Sequence, residues 1–562
     1  MKRLALSWGV IAAVLAASAP SLAVPADQKP ATRPPAASVP ARPAPKLVVI
    51  LVVDQMRADY IDRYGDTWTA GFRRLMDQGA WFQRAAYPYA ATVTCVGHST
   101  VSTGALPPAH GIVGNSWFDR ASGQTVACAA DPSTRIVRYG EGPDRTASSA
   151  RRLLVPTLAD ELRIQMPRAP RVVTFSLKDY TASMLGGQRP DAATWWDSSA
   201  GQWVTSTAFS SAPLPWLARV IGEHPVDAAV GEAWQKLLPP NRYRNEDEGK
   251  GEKGPAQWTA SFPHVLAARA GQADEAFHDA WASSPFSDAY LAQLGMSAID
   301  ELKLGQGEGT DYLAISFSAL DLVGHDFGPR SHEVQDVLAR LDRTLGALLD
   351  HLDRRVPERY VVALTADHGV APIPEQVEAQ GLPAGRVPSA NVVAAAEQVL
   401  EGLLGPGTHV TRMVGGELIF EPGVLDKLRA NAIAVRAVKD ALRAVPGVAA
   451  AYFGDELELD AGGASRDRLE QAAAAGYRRG RSGDLVVFLR PYWLFGSGST
   501  GTGHGSPYGY DQRVPVFLLG QGVKAGLYQA PVAPVDIAPT LARLCGITLA
   551  SAEGRVLSEA LR

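Results

Sequence analysis

A chain of 562 residues with 54 Lys and Arg against 58 Asp and Glu, 11 His and 3 Cys is long, close to neutral and poor in cysteine. Those figures exclude a disulfide-held miniprotein, a collagen-like repeat and a charge-rich disordered chain. With 46% hydrophobic residues it has material for a large core, and a net charge of -4 gives no electrostatic footprint for nucleic acid.

Lys2 and Arg3 precede an apolar run from Leu4 to Ala17, and Ser21-Leu22-Ala23 puts small residues where a signal peptidase reads. Residues 1–23 therefore read as a cleaved secretory signal. A membrane anchor needs about 18 or more apolar residues, and Ser7 and Ser18 interrupt this run. No later stretch is apolar for long enough to span a bilayer, so no stable membrane association is expected after cleavage. The expected address is the periplasm or the exterior, where thiols oxidise. Loss of Lys2 and Arg3 with the signal moves the formal charge from -4 to -6. Residues 24–45 carry seven prolines among Ala, Arg and Thr and read as an extended linker.

From Lys46, short Val, Ile and Leu runs alternate with amphipathic stretches, the pattern of a mostly parallel sheet with helices on both faces. The expected fold class is α/β, a three-layer α/β/α sandwich. Runs at 47–53, 171–176, 312–317, 360–365 and 514–519 read as strands buried on both sides. Between the third and fourth, Val334, Val337, Leu338, Leu341, Leu345, Leu348, Leu349 and Leu352 recur at helical spacing, with Asp342, Arg343 and Asp350 off the stripe. This helix is expected to cover the sheet. The main domain is expected over 46–550, with inserted cap segments near 181–305 and 371–495 and a tail at 551–562. Trp195, Trp196, Trp203, Trp216 and Trp234 in the first insertion read as core, and the charged run 245–253 as solvated surface.

The residues that follow the strands carry the chemistry. Asp54 comes directly after the first run, Asp321 and His325 after the third, and Asp367-His368 after the fourth. In an open α/β sheet the carboxyl ends of the strands share one edge, where ligands bind. A single Asp after a strand is usually a cap or turn former, but three Asp and two His on one edge suggest metal. Gly324 is expected to turn the backbone so that Asp321 and His325 face one ion, and Gly369 to relieve the turn after His368. His504 lies in the loop Gly501-Thr-Gly-His-Gly-Ser-Pro507, too rich in glycine to be core, and reads as a ligand or base. Carboxylates mixed with imidazoles suit Zn²⁺ best. Six candidate ligands are too many for one four-coordinate ion but fit a pair of Zn²⁺ ions, which would clamp the attacking and leaving oxygens of an in-line displacement.

Tyr87-Pro-Tyr-Ala-Ala-Thr-Val-Thr94-Cys-Val-Gly-His98, then Ser102-Thr-Gly-Ala-Leu-Pro107 and His110-Gly-Ile-Val-Gly-Asn115, resemble the nucleophile segment of the alkaline phosphatase superfamily. More narrowly they resemble its secreted bacterial phosphate-irrepressible alkaline phosphatases, which use threonine. Val52-Val-Asp54-Gln-Met-Arg57, Phe175-Ser-Leu-Lys178-Asp179 and Gly503-His504-Gly-Ser-Pro-Tyr508 are similar to that family's first metal, substrate-lysine and last-histidine segments, and the resemblance runs from Lys46 to about Ile547. It implies an alkaline-phosphatase-like fold with Asp321, His325 and His504 on one zinc and Asp54, Asp367 and His368 on the other. It also implies Thr94 as nucleophile and ligand of the second zinc, and Asn115 and Lys178 as partners of the phosphoryl oxygens. His98 lies in the motif but outside the implied ligand set and reads as structural.

One position departs from the family. Where the monoesterase branch typically carries arginine two residues after the lysine, this chain has Tyr180, which can donate one hydrogen bond but carries no charge. The leading expectation is a zinc-dependent alkaline phosphatase hydrolysing small phosphate monoesters as a monomer. A phosphodiesterase or nucleotide pyrophosphatase is the alternative, favoured by the missing arginine. A sulfatase is disfavoured because Cys95 lacks the Pro and Arg of a C-x-P-x-R motif, and a non-enzymatic binder because Thr94 and all six ligands are present. Cys95 and Cys128 could pair in the periplasm, and Cys545 reads as a buried free thiol.

Overall fold

A computed structural model describes residues 43–255, 258–458 and 467–562. The signal reading of 1–23 and all of the linker except Pro43–Pro45 lie outside the described residues. From Ala44 to Arg562 the chain is one compact unit.

Its centre is a sheet of eleven strands: β1 (Leu47–Val53), β2 (Ala80–Phe82), β3 (Ala130–Arg138), β4 (Thr146–Ser148), β5 (Val172–Ser176), β6 (Ala192–Asp197), β7 (Gln202–Ser206), β8 (Asp311–Phe317), β9 (Tyr360–Thr365), β10 (Val516–Gly520) and β11 (Gly526–Tyr528). They lie in the order β11-β2-β10-β9-β1-β8-β5-β6-β7-β3-β4. The five strands from β9 to β6 are parallel. Antiparallel pairings lie on both flanks. The last of the five expected runs, β10, is one of these. The chain leaves β9 at Thr365, makes its long excursion beyond that edge and re-enters beside it, with Thr365 paired to Val516.

All seven residues of β1 are buried, and they divide by parity. Leu47, Val49, Leu51 and Val53 join one apolar cluster, and Val48, Ile50 and Val52 the other. Helices Pro285–Glu301 and His332–Arg355 cover the first face, Leu158–Gln165 and Ile537–Cys545 the second, which makes three layers. All eight expected positions of the 332–355 helix are buried. Its N-terminus is capped by Ser331 Oγ, which accepts from Val334 N at 3.2 Å.

Asp342 departs from expectation. It is 1% exposed and accepts the backbone N–H groups of Thr69, Ala70 and Phe72 at 2.7, 2.8 and 2.8 Å. Those are free donors at the start of helix Gly71–Gln78, whose own N-cap residue, Ala70, has no side chain to offer. The two helices approach so closely that a Cβ on Gly71 would lie 2.3 Å from Leu345 Cβ. A polar residue on an apolar helix face here serves another helix.

The first insertion does not stand apart from the sheet, since 181–305 supplies β6 and β7. Its tryptophans pack on one another, Trp196 against Trp281 at 4.9 Å and against Trp203 at 5.5 Å between ring centroids, and Trp203 stacks on Tyr290 at 5.4 Å. The second insertion, 371–495, builds its own four-stranded antiparallel sheet from Val410–Val414, Glu417–Phe420, Leu485–Leu489 and Val448–Phe453. Helices Ser389–Leu404 and Ala432–Ala444 close a separate core with it. The expected tail at 551–562 is instead packed: Leu557 and Ala560 are fully buried, and Arg562 N donates to Gly522 O at 2.9 Å. Cys95 and Cys128 are disulfide-bonded, and Cys545 is a buried free thiol that burial pushes up to about 12.

Two predictions follow from buried carboxyls that cap helices. Asp342→Ala strands several N–H groups and should lower the unfolding free energy by about 3 kcal/mol; urea denaturation showing a loss below about 1 kcal/mol would contradict the capping role. Asp288 accepts from Ser318 N and Ala319 N at 3.0 and 3.2 Å, at the start of helix Ala319–Phe327, and burial pushes its carboxyl up to about 7. A raised carboxyl favours the fold below the unfolded-state value near 4 and loses that advantage as pH climbs to about 7, about 4 kcal/mol in all. The stability of Asp288→Asn relative to wild type should therefore rise between pH 4 and pH 7, and parallel pH profiles would refute it.

Candidate functional site

Strand register gathers the site. Val52 pairs with Ser316 on one side and Thr365 on the other, and Ser316 pairs with Ser176, so β1, β8, β9 and β5 end at one edge. Asp54 leaves β1 there, Asp367 and His368 follow β9, and Lys178 and Tyr180 follow β5. Asp321 and His325 lie on helix Ala319–Phe327, four residues apart and hence on one face. Thr94 opens helix Thr94–Thr103, every residue of which is buried.

All six expected ligands meet. Ligand atoms of Asp54, Asp367 and His368 lie within 4.8 Å of one another, and so do those of Asp321, His368 and His504. His325 Nε2 is 3.3 Å from Asp321 Oδ1, and His504 Nε2 is 3.9 Å from the same oxygen. The first trio is the set the resemblance implies for one ion. In the second, His368 stands where His325 was expected, and His325 joins through Asp321. Thr94 Oγ1 is 3.1 Å from His368 Nε2.

The second ring nitrogen of each histidine is already committed. His325 Nδ1 faces Thr502 O at 2.9 Å, His368 Nδ1 faces Gly369 O at 2.9 Å, and His504 Nδ1 faces Thr92 O at 2.8 Å. A carbonyl can only accept, so each Nδ1 carries hydrogen and each Nε2 presents its lone pair to the site. That is the arrangement of metal-binding imidazoles.

The charge balance fits cations too. Asp54, Asp321 and Asp367 are 0, 3 and 0% exposed, and the ammonium among them is Lys178, whose Nζ lies 2.5 Å from both Asp54 Oδ2 and Asp321 Oδ2. Burial, then repulsion from Asp321 and Asp367, drives the Asp54 carboxyl well above the usual range. Burial opposes the charge on Asp321 and Asp367 as well, but Lys178 and His325 hold the first below the usual value, and His368 and His98 the second. Asp54 Oδ1 and Asp367 Oδ2 are buried without a hydrogen-bond partner among the described residues. Burial keeps His368 and His504 neutral, His504 further lowered by the other two rings. Burial also resists charge on His325, yet Asp321 pulls it up to about 8. Buried carboxylates with unpaired oxygens beside imidazoles are a donor set for a divalent metal ion.

Gln55 belongs to the site although the sequence marks it only as the neighbour of Asp54 in the first metal-like segment. Its backbone, at φ 68°, lets N donate to Asp367 Oδ1 at 3.1 Å while Nε2 donates to Asp321 Oδ1 at 2.7 Å. Gly324 does not turn the chain as expected: it is helical, and a Cβ there would lie 1.9 Å from Gln55 Oε1. Gly369 likewise answers a close approach, since its Cβ would lie 2.1 Å from Tyr510 O. His98, outside the ligand sets, has Nδ1 2.9 Å from Thr94 O and 3.3 Å from Asp367 Oδ2, with Nε2 2.8 Å from Ser316 Oγ.

Asn115 Oδ1 accepts from Cys95 N at 2.9 Å, and its backbone O accepts from Cys128 N at 2.9 Å. The disulfide thus pins Asn115 to the residue after Thr94, with its NH₂ still available. Tyr180 is half-buried, and its hydroxyl is pushed up by burial against the opposing pull of Lys178. The charged run 245–253, expected as solvated surface, docks at one end: Lys253 N donates to Asp326 O at 3.1 Å, and Gly501 N donates to Gly251 O at 2.8 Å. It braces both the helix bearing His325 and the loop bearing His504.

The model of the type I phosphodiesterase / nucleotide pyrophosphatase family matches residues 48–511. The alkaline phosphatase PhoV of Synechococcus elongatus is 31% identical over 92% of this chain and 93% of its own length. The alkaline phosphatase PafA of Elizabethkingia meningoseptica is 31% identical over 92% and 95%. The crystal structure of wild-type PafA superposes with a TM-score of 0.84 at 30% identity, covering 92% of this chain and 99% of that one. By sequence and by fold the chain belongs to the type I phosphodiesterase / nucleotide pyrophosphatase family of the alkaline phosphatase superfamily.

Proposed function

We propose that this protein hydrolyses small phosphate monoesters at a two-zinc site through a phosphothreonine on Thr94, as a monomer in the periplasm or outside the cell. The observation that carries the reading is the convergence of Asp54, Asp321, His325, Asp367, His368 and His504 beside the Thr94 hydroxyl, with each histidine Nδ1 held by a backbone carbonyl so that Nε2 faces the site. One chain supplies every ligand. The kinship with bacterial alkaline phosphatases supports the monoester, and the Cys95–Cys128 disulfide supports an oxidising compartment. No helix among the described residues is long and apolar enough to cross a membrane.

Two zinc ions held by these side chains would lower the pKa of the Thr94 hydroxyl and stabilise the departing oxygen. Thr94 Oγ1 releases its proton to solvent as it attacks phosphorus, a P–O bond forms to the threonine, and the P–O bond to the ester oxygen breaks, that oxygen leaving with a proton from solvent. Water then attacks the phosphothreonine in line and returns the hydroxyl to Thr94. Two inversions give net retention at phosphorus. Thr94 stands at the first position of its helix, where the dipole favours the anionic phosphoryl group. The Asn115 amide and the Lys178 ammonium hold non-bridging oxygens, Lys178 becoming available once the carboxylates that now bind it are otherwise neutralised.

A second reading, preference for diesters, is favoured by Tyr180. It borders a cleft of about 630 Å³ with Lys178, Trp195 and Trp196, which is room for a second ester substituent where a monoesterase would place an arginine.

EDTA should abolish activity and Zn²⁺ restore it, and Thr94→Ala should lower kcat on the order of 10³-fold; persistence of either activity would overturn the reading. Tyr180→Arg should raise kcat/KM for p-nitrophenyl phosphate about tenfold while lowering it for bis-p-nitrophenyl phosphate, the scale of one charge-assisted hydrogen bond. A monoester value that stays level or falls would show that Tyr180 does not limit the dianion.

A further inference from the structure

Between the Thr94 segment and the antiparallel sheet of the second insertion lies a cavity of about 380 Å³. Asn115 and His504 line its floor, and Thr94 is not among the lining residues. The floor is tied to the nucleophile segment through Cys95 N donating to Asn115 Oδ1 at 2.9 Å, His504 Nδ1 donating to Thr92 O at 2.8 Å and Thr92 Oγ1 donating to Ser506 O at 2.9 Å. A group attached to a phosphorus held beside Asn115 and His504 would find this space open to it.

The opposite wall is aromatic, formed by Tyr477, Phe488, Trp493 and Phe495. It is preformed. Trp493 and Phe495 belong to a strand paired with Gly385–Val387. The six-membered edge of Trp493 fills room left by two glycines, where a Cβ would lie 2.8 Å away at Gly385 and 2.3 Å away at Gly447. The charge in the cavity has one sign. No Lys or Arg lines it, while Glu417 and Asp511 do. Asp511 Oδ2 accepts from Ser506 N and Oγ at 2.9 and 2.6 Å, and its buried Oδ1 has no partner among the described residues. Flat rings are attracted by such walls, and an anionic substituent lying among them would meet the Glu417 and Asp511 carboxyl groups with no Lys or Arg among the described lining residues.

We propose that this cavity receives the alcohol portion of the ester and selects flat, uncharged aromatic leaving groups, an inference that rests on the phosphoesterase reading above. The second insertion, through Trp493 and Phe495, is then the specificity element of the enzyme.

The test compares 2-naphthyl, phenyl and 4-carboxyphenyl phosphates, whose phenols have similar acidity, on the zinc-loaded protein. Wild type should prefer naphthyl over phenyl in kcat/KM by about tenfold, from the extra ring buried, and should turn over carboxyphenyl slowest. Phe495→Ala should bring the naphthyl-to-phenyl ratio towards one, and Glu417→Gln should raise the carboxyphenyl-to-phenyl ratio. Equal ratios in wild type and both variants would overturn the proposal while leaving the hydrolase intact. Calorimetry of 2-naphthylphosphonate and methylphosphonate on Thr94→Ala protein gives a readout without turnover. Tighter naphthyl binding that Phe495→Ala removes would sustain the cavity even if no monoester were hydrolysed, whereas equal binding of the two phosphonates would refute it.

Discussion

Three carboxylates, Asp54, Asp321 and Asp367, are buried within reach of one another at the edge of a parallel sheet, and their repulsion is the constraint around which the site is arranged. One ammonium cannot neutralise three buried acids, so Asp54 is driven towards its protonated form while Lys178 is drawn between two of them. Burying like charges is tolerable only where cations complete the set. The residues nearby are those that make cation binding favourable. Three imidazoles are held in one tautomer by backbone carbonyls, and Gln55 orients Asp367 through its backbone N–H and Asp321 through its side-chain amide.

Close backbone approach makes that density possible. The Thr94 helix lies against the end of β9 so tightly that a Cβ at Gly97 would be 2.3 Å from Asp367 O. Gly324 and Gly369 leave room for Gln55 and for the 510 segment. The disulfide and the Cys95 N–H then tie Asn115 to the residue after Thr94, so segments some twenty residues apart are held together. Such bracing is what a site needs when its ligands must keep fixed positions against mutual repulsion.

The two insertions contribute differently. The first is absorbed into the sheet and brings Trp195 and Trp196 beside Tyr180. The second keeps its own core and lends an aromatic wall and Glu417 to the neighbouring cavity. A wall on an inserted element can vary without changing the candidate ligands, which lie outside it at the ends of β1 and β9, on helix Ala319–Phe327 and in the loop at His504.

Much of this was legible in the chain. A strand buried on both faces must be a continuous apolar run, so β1, β8 and β9 show themselves as blocks, and the acids and histidines after such blocks must meet because parallel strands end together. The motifs around Thr94, Asn115, Lys178 and His504 carry the family resemblance, which full-length kinship then bore out. What the sequence could not show depends on contacts between distant segments. Asp342 falls on the 332–355 helix as an off-stripe acid, yet it is buried because another helix brings uncapped N–H groups to it. Gln55 acquires its role from an unusual φ and from a Cβ missing at residue 324. The last twelve residues look too polar for core until Leu557 and Ala560 find the face of the sheet, and β10 reverses because its connection begins and ends at one edge. Local periodicity thus determined which segments are strands and helices and which residues stand at their ends. Only the tertiary structure decided which polar groups share a desolvated space, because that depends on distances across the fold that no spacing along the chain encodes.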